Sequence, residues 1–293
     1  MIVVELMGGL GNQMFQYAIG RHLALLNQTD LYLDSTFLMD RGPRRKDFVF
    51  RNYDLDLFDL PVQSAPAYLS ARFSRTNTLP KRIWNRLWPN QSVRFVYEKH
   101  FHMDEQVLSR RGDMYLDGYW QSARYFDAIT DVIRADFRLS FDLPIHSQQL
   151  ANDINNTNAV CLNVRRADFV TNPVHGTTSL SYYQEAVTYI NANTTDPIYY
   201  VFSDDIDWCI NNLHLQAPTV YVGHEYAGPK FGHYLQLMHQ CQHFIIPNST
   251  FAWWAAWLSP HAQKIVVAPK QWFGKPILPA NTKDLIPPLW VRL

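Results

Sequence analysis

The sequence predicts an α/β protein built on parallel sheets, and three observations carry that reading. Short β-branched apolar runs alternate with stretches of helical periodicity through much of the 293 residues, a rhythm that fits parallel strands covered on both faces by helices. The opening unit, IVVEL, MGGLGNQ, MFQYAIGRHLALLN and LYLDS, is strand, glycine turn, helix and strand in succession. Each legible strand also ends in a polar cluster, GGLGNQ, RRAD, SDD or NST, and ligands of open parallel sheets bind outside the carboxyl ends of the strands.

Residues 2–6 are the first strand, and the helix after the glycines, expected to begin near Gln13, carries Phe15, Ala18, Ile19, His22 and Leu26 on one face. Residues 31–35 are the second strand. Between residues 41 and 96 basic clusters, short apolar pieces and prolines alternate, which predicts helices and loops. YLDGYW reads as strand and loop, and residues 122–137 as a helix. A proline and an asparagine-rich polar run then mark a junction near Ile145. The expected organisation is an N-terminal lobe, 1–145, a C-terminal lobe, 146–275, and a tail, 276–293. In the second lobe AVCLNV, IYYVF, FIIP and IVVAP are strands. The helix after the arginine loop aligns Tyr183, Ala186, Val187 and Ile190, with Ser181 and Gln184 as a capping box. The helix after NST aligns Phe251, Trp254, Ala255 and Leu258.

Lys plus Arg and Asp plus Glu each number 26, so no global field recruits nucleic acid or an acidic membrane. Cys161, Cys209 and Cys241 lack metal-type spacing and read as buried free thiols of a reducing compartment. The N-terminus has no basic n-region and no apolar run approaches about 18 residues. A cytoplasmic protein without a transmembrane segment is expected, and peripheral attachment to a membrane stays open. The aromatic share is 14%, with nine Trp and sixteen Tyr; such rings stack on sugars or fill cores, and composition does not choose.

The chemistry concentrates at the strand ends. In GGLGNQ the glycines allow close backbone approach and the helix start offers N–H groups, while Asn12 and Gln13 add carboxamides that a plain turn does not need. The spacing is neither the dinucleotide fingerprint nor a P-loop. Arg165 and Arg166 follow an apolar strand, and a guanidinium fork matches phosphate oxygens. Adjacent residues of an extended segment point to opposite sides. Arg165 is therefore expected to face the ligand and Arg166 to pair with Asp168. Asn248, Ser249 and Thr250 cap a helix and would supply hydroxyls and N–H groups to phosphate. After IYYVF, Ser203 and Asp204 suit a purine or ribose hydroxyls, whereas Asp205 and Asp207 have the spacing of a metal-binding pair. His100 and His102, near Asp104 and Glu105, are read as surface or packing histidines.

In their order and spacing MGGLGNQMFQYA, NVRRADF, VFSDDIDW and FIIPNSTFAWWAAWL resemble the motifs of the α1,2-fucosyltransferase family, glycosyltransferase family eleven. The resemblance implies a GT-B-like fold, two Rossmann-like lobes whose parallel sheets face a donor/acceptor cleft. It also implies an inverting, metal-independent enzyme without a cofactor that moves fucose from GDP-fucose to the 2-hydroxyl of a galactose-terminated glycan. It places Arg165 on the donor diphosphate, with Arg166 and Asp168 beside it, and Asp204 on the nucleoside with Ser203. Asn248, Ser249 and Thr250 fall at phosphate contacts, and Gly11, Asn12 and Gln13 lie beside the sugar, Asn12 near the anomeric carbon. The motif's histidine is Asn163 here and its glycine is Ala167; asparagine keeps a hydrogen bond but cannot act as acid or base. His175 and Asp34 are the candidates for a base, and acceptor contacts are expected from residues 41–96. Two other classes stay open: a metal-dependent transferase using Asp205 and Asp207, and a non-catalytic glycan-binding protein.

Overall fold

A computed structural model describes residues 1–43, 48–73, 93–172, 176–274 and 281–293; His175 and part of the basic cluster after Arg41 lie outside them. The chain forms two compact units, Met1–Arg138 with Pro279–Leu285, and Leu139–Leu278 with Ile286–Leu293. The first unit's main segment ends at Arg138, and the sequence puts the junction at Ile145, give or take about ten residues. Part of the presumed tail supplies a strand of the second unit.

In the first unit β1 (Ile2–Glu5), β2 (Leu31–Asp34), β3 (Gln63–Ser64), β4 (Arg94–Tyr97) and β5 (Met114–Asp117) form a sheet in the order β3-β2-β1-β5-β4. All its pairings are parallel. The helix Leu10–Asn27 lies on it at close range: a Cβ on Gly20 would fall 2.5 Å from Val4 and 2.8 Å from Leu31, so glycine there lets helix and sheet approach. That helix starts at Leu10 rather than near Gln13, and Gly9 O accepts the N–H groups of Asn12 and Gln13 at 2.9 and 3.1 Å. Leu26, placed on the apolar face, is exposed. Residues 122–137 are not one helix; two 3-10 turns, Ala123–Tyr125 and Asp127–Ile129, precede the helix Thr130–Asp136.

The second unit adds β6 (Asn158–Val164), β7 (Pro197–Ser203), β8 (Thr219–Tyr221), β9 (His243–Ile245), β10 (Val266–Ala268) and β11 (Val291–Arg292). Their order is β11-β10-β9-β6-β7-β8, again all parallel. Alternate residues Val160, Leu162 and Val164 of β6 pack with Tyr183, Ala186, Val187 and Ile190 of the helix Leu180–Asn193, the period-2 face of a strand meeting the helical stripe. Ser179, not Ser181, caps that helix by accepting the N–H of Tyr182. The helix Thr250–Leu258 has no single apolar face: Ala252 to Trp257 are all buried, while Phe251 and Leu258 are only partly so. A helix apolar all round belongs inside a core. Cys161, Cys209 and Cys241 are free and buried. Among the described residues no helix is long and apolar enough to cross a membrane.

His243 opens β9, and its Nδ1 accepts the N–H of Ile265 at 3.0 Å. Burial, then the nearby His261, holds its pKa below the usual histidine value, so the unfolded chain takes up the proton first. The stability it contributes is full above an unfolded pKa of about 6.5 and is lost as the pH falls from there toward the depressed folded value. His243→Asn, whose Oδ1 can accept the same N–H, is expected to flatten the fall in Tm between about pH 7 and about pH 5. An unchanged slope would contradict that assignment.

Candidate active site

The strand orders locate two ligand edges. In the second unit the chain runs from β6 outward through β7 to β8, then returns to place β9, β10 and β11 on the other side. The switch point is between β6 and β9, and their carboxyl ends lead into Arg165 and Asn248 respectively. In the first unit it is between β1 and β5, where the glycine turn meets the loop after Asp117. Crevices at such points are the usual ligand sites of open parallel sheets.

Beyond β6 the two arginines are held by three aspartates. Arg165 Nη1 lies 2.8 Å from Asp204 Oδ2, and its Nη2 is ion-paired with Asp168. Arg166 pairs through Nε with Asp205 Oδ2 at 3.1 Å and stacks on Trp208 with its guanidinium carbon 3.8 Å from the ring centroid. Asp168 therefore serves Arg165 and not Arg166. Alternation fails because the chain leaves the strand at once: the 3-10 turn Ala167–Phe169 brings the residue three positions on back to Arg165. Among the described residues one guanidinium N–H of Arg165 is hydrogen-bonded, to Asp168, while Asp204 Oδ2 is an ion-pair partner without hydrogen-bond geometry, so at least three of the five N–H groups stay available to a ligand.

Asp204 also accepts the Arg166 N–H at 2.8 Å, so both of its oxygens fix the arginine loop. Ser203 is buried, and its Oγ accepts the N–H of Asp205 at 2.9 Å; it shapes the turn. The thiol of Cys209, hydrogen-bonded to Ser203, is pushed up to about 11 by burial. Asp205 caps the helix Ile206–Asn212 through the N–H of Trp208, so the first member of the metal-type pair is occupied by a cap and an arginine. Among the described residues no group of three His, Cys, Asp or Glu could hold a metal ion.

Asn163 is buried at the end of β6 and donates through Nδ2 to Phe202 O at 3.0 Å, which leaves its Oδ1 as an acceptor at the switch point. After β9, Asn248 donates to Trp272 O at 3.0 Å and Gly176 O at 3.3 Å, and accepts from Thr178. It ties the far end of the arginine loop to the helix start. Ser249 is the N-cap but its side chain makes no cap hydrogen bond, and Thr250 is the first helical residue. The Ser249 hydroxyl is thus spared for something other than the helix.

At the first unit's edge Gly8 has φ +77, and a Cβ there would fall 2.2 Å from Asn12 Nδ2; only glycine gives both the left-handed turn and that space. Gly11 is buried within the helix's first turn. Gln13 is fully buried and saturated: Nε2 donates to Gly8 O at 3.0 Å and Asn52 O at 2.8 Å, and Oε1 accepts from Asp54 N–H at 2.9 Å. It braces the turn and has no donor left for a ligand. Asn12 is half-buried, and its Oδ1 accepts from Gln121 Nε2 at 2.8 Å. Gln16 spans the switch point, accepting the Met7 N–H and donating to Gly118 O. Asp34 is buried, accepting the Tyr115 hydroxyl at 2.6 Å and the Thr36 N–H at 2.9 Å, which removes it as a base for an incoming hydroxyl. Gln16, Gln121 and Thr178 belong to the site although sequence alone does not single them out. Their one signal was carboxamides and hydroxyls bordering the legible strand ends.

Two α/β units with parallel sheets, each with a polar edge at its switch point, make this a GT-B-like protein. An Arabidopsis thaliana FUT1 mutant in complex with GDP has a similar fold, with a TM-score of 0.53 at 14% identity over 90% of this chain and 69% of that one. The chain belongs to glycosyl transferase family 11, whose profile matches residues 65–293, and is a glycosyltransferase. The Escherichia coli O-antigen biosynthesis glycosyltransferase WbnK is 31% identical over 98% of this chain and 99% of its own length. An alpha-1,2-colitosyltransferase of Escherichia coli is 28% identical over 100% and 98%. Galactoside alpha-(1,2)-fucosyltransferase 1 of Rattus norvegicus is 27% identical over 86% of this chain and 62% of its own.

Proposed function

We propose that the protein transfers L-fucose from GDP-fucose to the 2-hydroxyl of a galactose-terminated glycan, with inversion and without a metal ion. The observation that carries this reading is Arg165, oriented by Asp168 and Asp204 at the β6/β9 switch point. The names of the α1,2-transferring relatives supply the sugar, the linkage and the acceptor class.

Breaking the bond between sugar and diphosphate develops positive charge on the ring and negative charge on the leaving phosphate. Donors aimed in advance at the place where that charge grows stabilise it without reorganising. Arg165 fits this role because its carboxylate partners fix the fork before the donor arrives. In this reading residues 146–275 hold GDP, with Arg166 and Asp204 keeping the loop in place. The Ser249 hydroxyl and the helix start at Thr250 add donors to phosphate. Asn163 contributes a neutral acceptor and no proton transfer. Asn12 contributes the amide that the family's glycine-turn motif sets beside the sugar. Bond cleavage running ahead of attack needs little help from a base, which fits a site where the motif's histidine is asparagine. The free buried cysteines suit a reducing, cytoplasmic setting.

The full-length match to a colitosyltransferase favours a second donor, the corresponding colitose nucleotide. Incubating the protein with each donor and a panel of galactosides, with and without EDTA, separates the readings. GDP-fucose turnover unchanged by EDTA is expected. Loss in EDTA would instead support a metal-dependent transferase, and turnover with the colitose donor alone the second reading. No rise in Tm with both donors would remove both donor readings and favour a glycan-binding role.

A further inference from the structure

We infer that Gln121 is a positioning residue for the transfer: one hydrogen bond from it decides which end of the Asn12 carboxamide meets the ligand. The inference rests on the reading that Asn12 takes part in the reaction.

Gln121 follows β5 at the first unit's switch point and is only 6% exposed. Its Nε2 donates to Asn12 Oδ1 at 2.8 Å, while its own Oε1 is buried without a hydrogen-bond partner among the described residues. The neighbours repeat the pattern, since Trp120 Nε1 and Ser122 Oγ are also buried without a partner among the described residues. Trp120 in addition holds a left-handed φ of 57, a costly conformation for a bulky residue. The loop is nonetheless firmly fixed. Glu98 accepts the N–H groups of Tyr119 and Trp120 at 2.7 and 2.9 Å, and Gln16 holds Gly118 O at 3.2 Å. A segment that keeps strain and three orphaned polar atoms under such restraint is held for its geometry and not for its stability.

The polarity of the amide pair follows from burial. Turning both carboxamides over would preserve their hydrogen bond but would bury an unpaired NH2 where the carbonyl oxygen of Gln121 now sits. Orphaned buried N–H groups are rarer than under-satisfied carbonyls, whose second lone pair tolerates it. Gln121 thus donates, Asn12 Oδ1 accepts, and Asn12 Nδ2 is turned away from Gln121. That nitrogen lies over Gly8, where the absent Cβ leaves room, and it donates to no described residue. The side chain presents an N–H donor, suited to the glycosidic or phosphate oxygen that gains negative charge as the bond breaks.

Gln121→Met keeps the volume and removes both the hydrogen bond and the orphaned oxygen. A purely structural residue would lose stability on this change. Here Tm is expected to hold or rise, kcat to fall about 10-fold and KM for GDP-fucose to stay within about 2-fold. Asn12→Ala is expected to lower kcat by at least as much, and adding Gln121→Met to it to cost nothing further, because the two act as one unit. Unchanged kcat in Gln121→Met, or a full additional loss in the double variant, would overturn the inference. Wild-type turnover in Asn12→Ala would instead overturn the role of Asn12, and the inference with it. Should Gln121→Met not fold, Gln121→Glu gives the same decision. Its protonated acid can donate to Asn12, so turnover is expected to drop as the pH rises and the proton leaves, a limb absent from the wild type; a wild-type pH profile at full activity would overturn the inference.

Discussion

Arg165→Ala is expected to lower kcat with GDP-fucose by at least about 10²-fold, the range for removing one preorganised donor to a developing charge. Arg165→Lys should recover little of it. A point-like ammonium cannot hold Asp168 and Asp204 together and still offer N–H groups in a fixed plane. The alanine change also leaves Asp168 and Asp204, with side chains 19% and 9% exposed, without their cation, so some loss of Tm accompanies it. Comparing kcat at a temperature where both proteins are folded separates the two effects. Near-normal turnover would remove Arg165 from the mechanism.

Trp254→Ala should strongly destabilise the second unit. Trp254 is fully buried, edge-on to Trp253 at 5.1 Å and to Trp257 at 5.3 Å, in the helix whose N-cap is Ser249. Truncating a tryptophan in such surroundings costs about 3–5 kcal/mol, from lost transfer energy plus the cavity left behind. Urea unfolding should show a lower midpoint, and binding of GDP should weaken with it because the helix start moves. A loss below about 1 kcal/mol would mean that the indole cluster collapses around the gap.

The parts of the molecule legible in sequence are those where a local pattern has one physical cause. β6 and β7 are continuous apolar runs because both of their faces are buried, and the polar residues after them mark the ligand edge whatever the ligand. The edge strands gave no such signal. β3 is a two-residue exposed pair and β4 is mostly exposed, so neither carries a buried face to impose alternation. Phe251 and Leu258 are less buried than a helical stripe predicts, because a helix buried all round leaves no stripe to detect. The partner of Arg166 is not legible in sequence because the tight turn after β6 depends on Asp204, 38 residues away. The carboxamides show the limit most clearly. Gln13 and Asn12 are adjacent in the same motif, yet Gln13 is consumed by Asn52 and Asp54 while Asn12 is set by Gln121, 109 residues on. Which one is left to meet a ligand is decided by packing.

Transfer of fucose to the 2-hydroxyl of galactose with inversion is decided by isolating the product formed from GDP-fucose and a galactose-terminated oligosaccharide and determining its linkage and anomeric configuration by NMR. A single fucose on O2 of the galactose, with the anomeric configuration opposite to that in the donor, is the expected result. Fucose at another position, retention of the donor's configuration, or release of free fucose without a glycoside would contradict it.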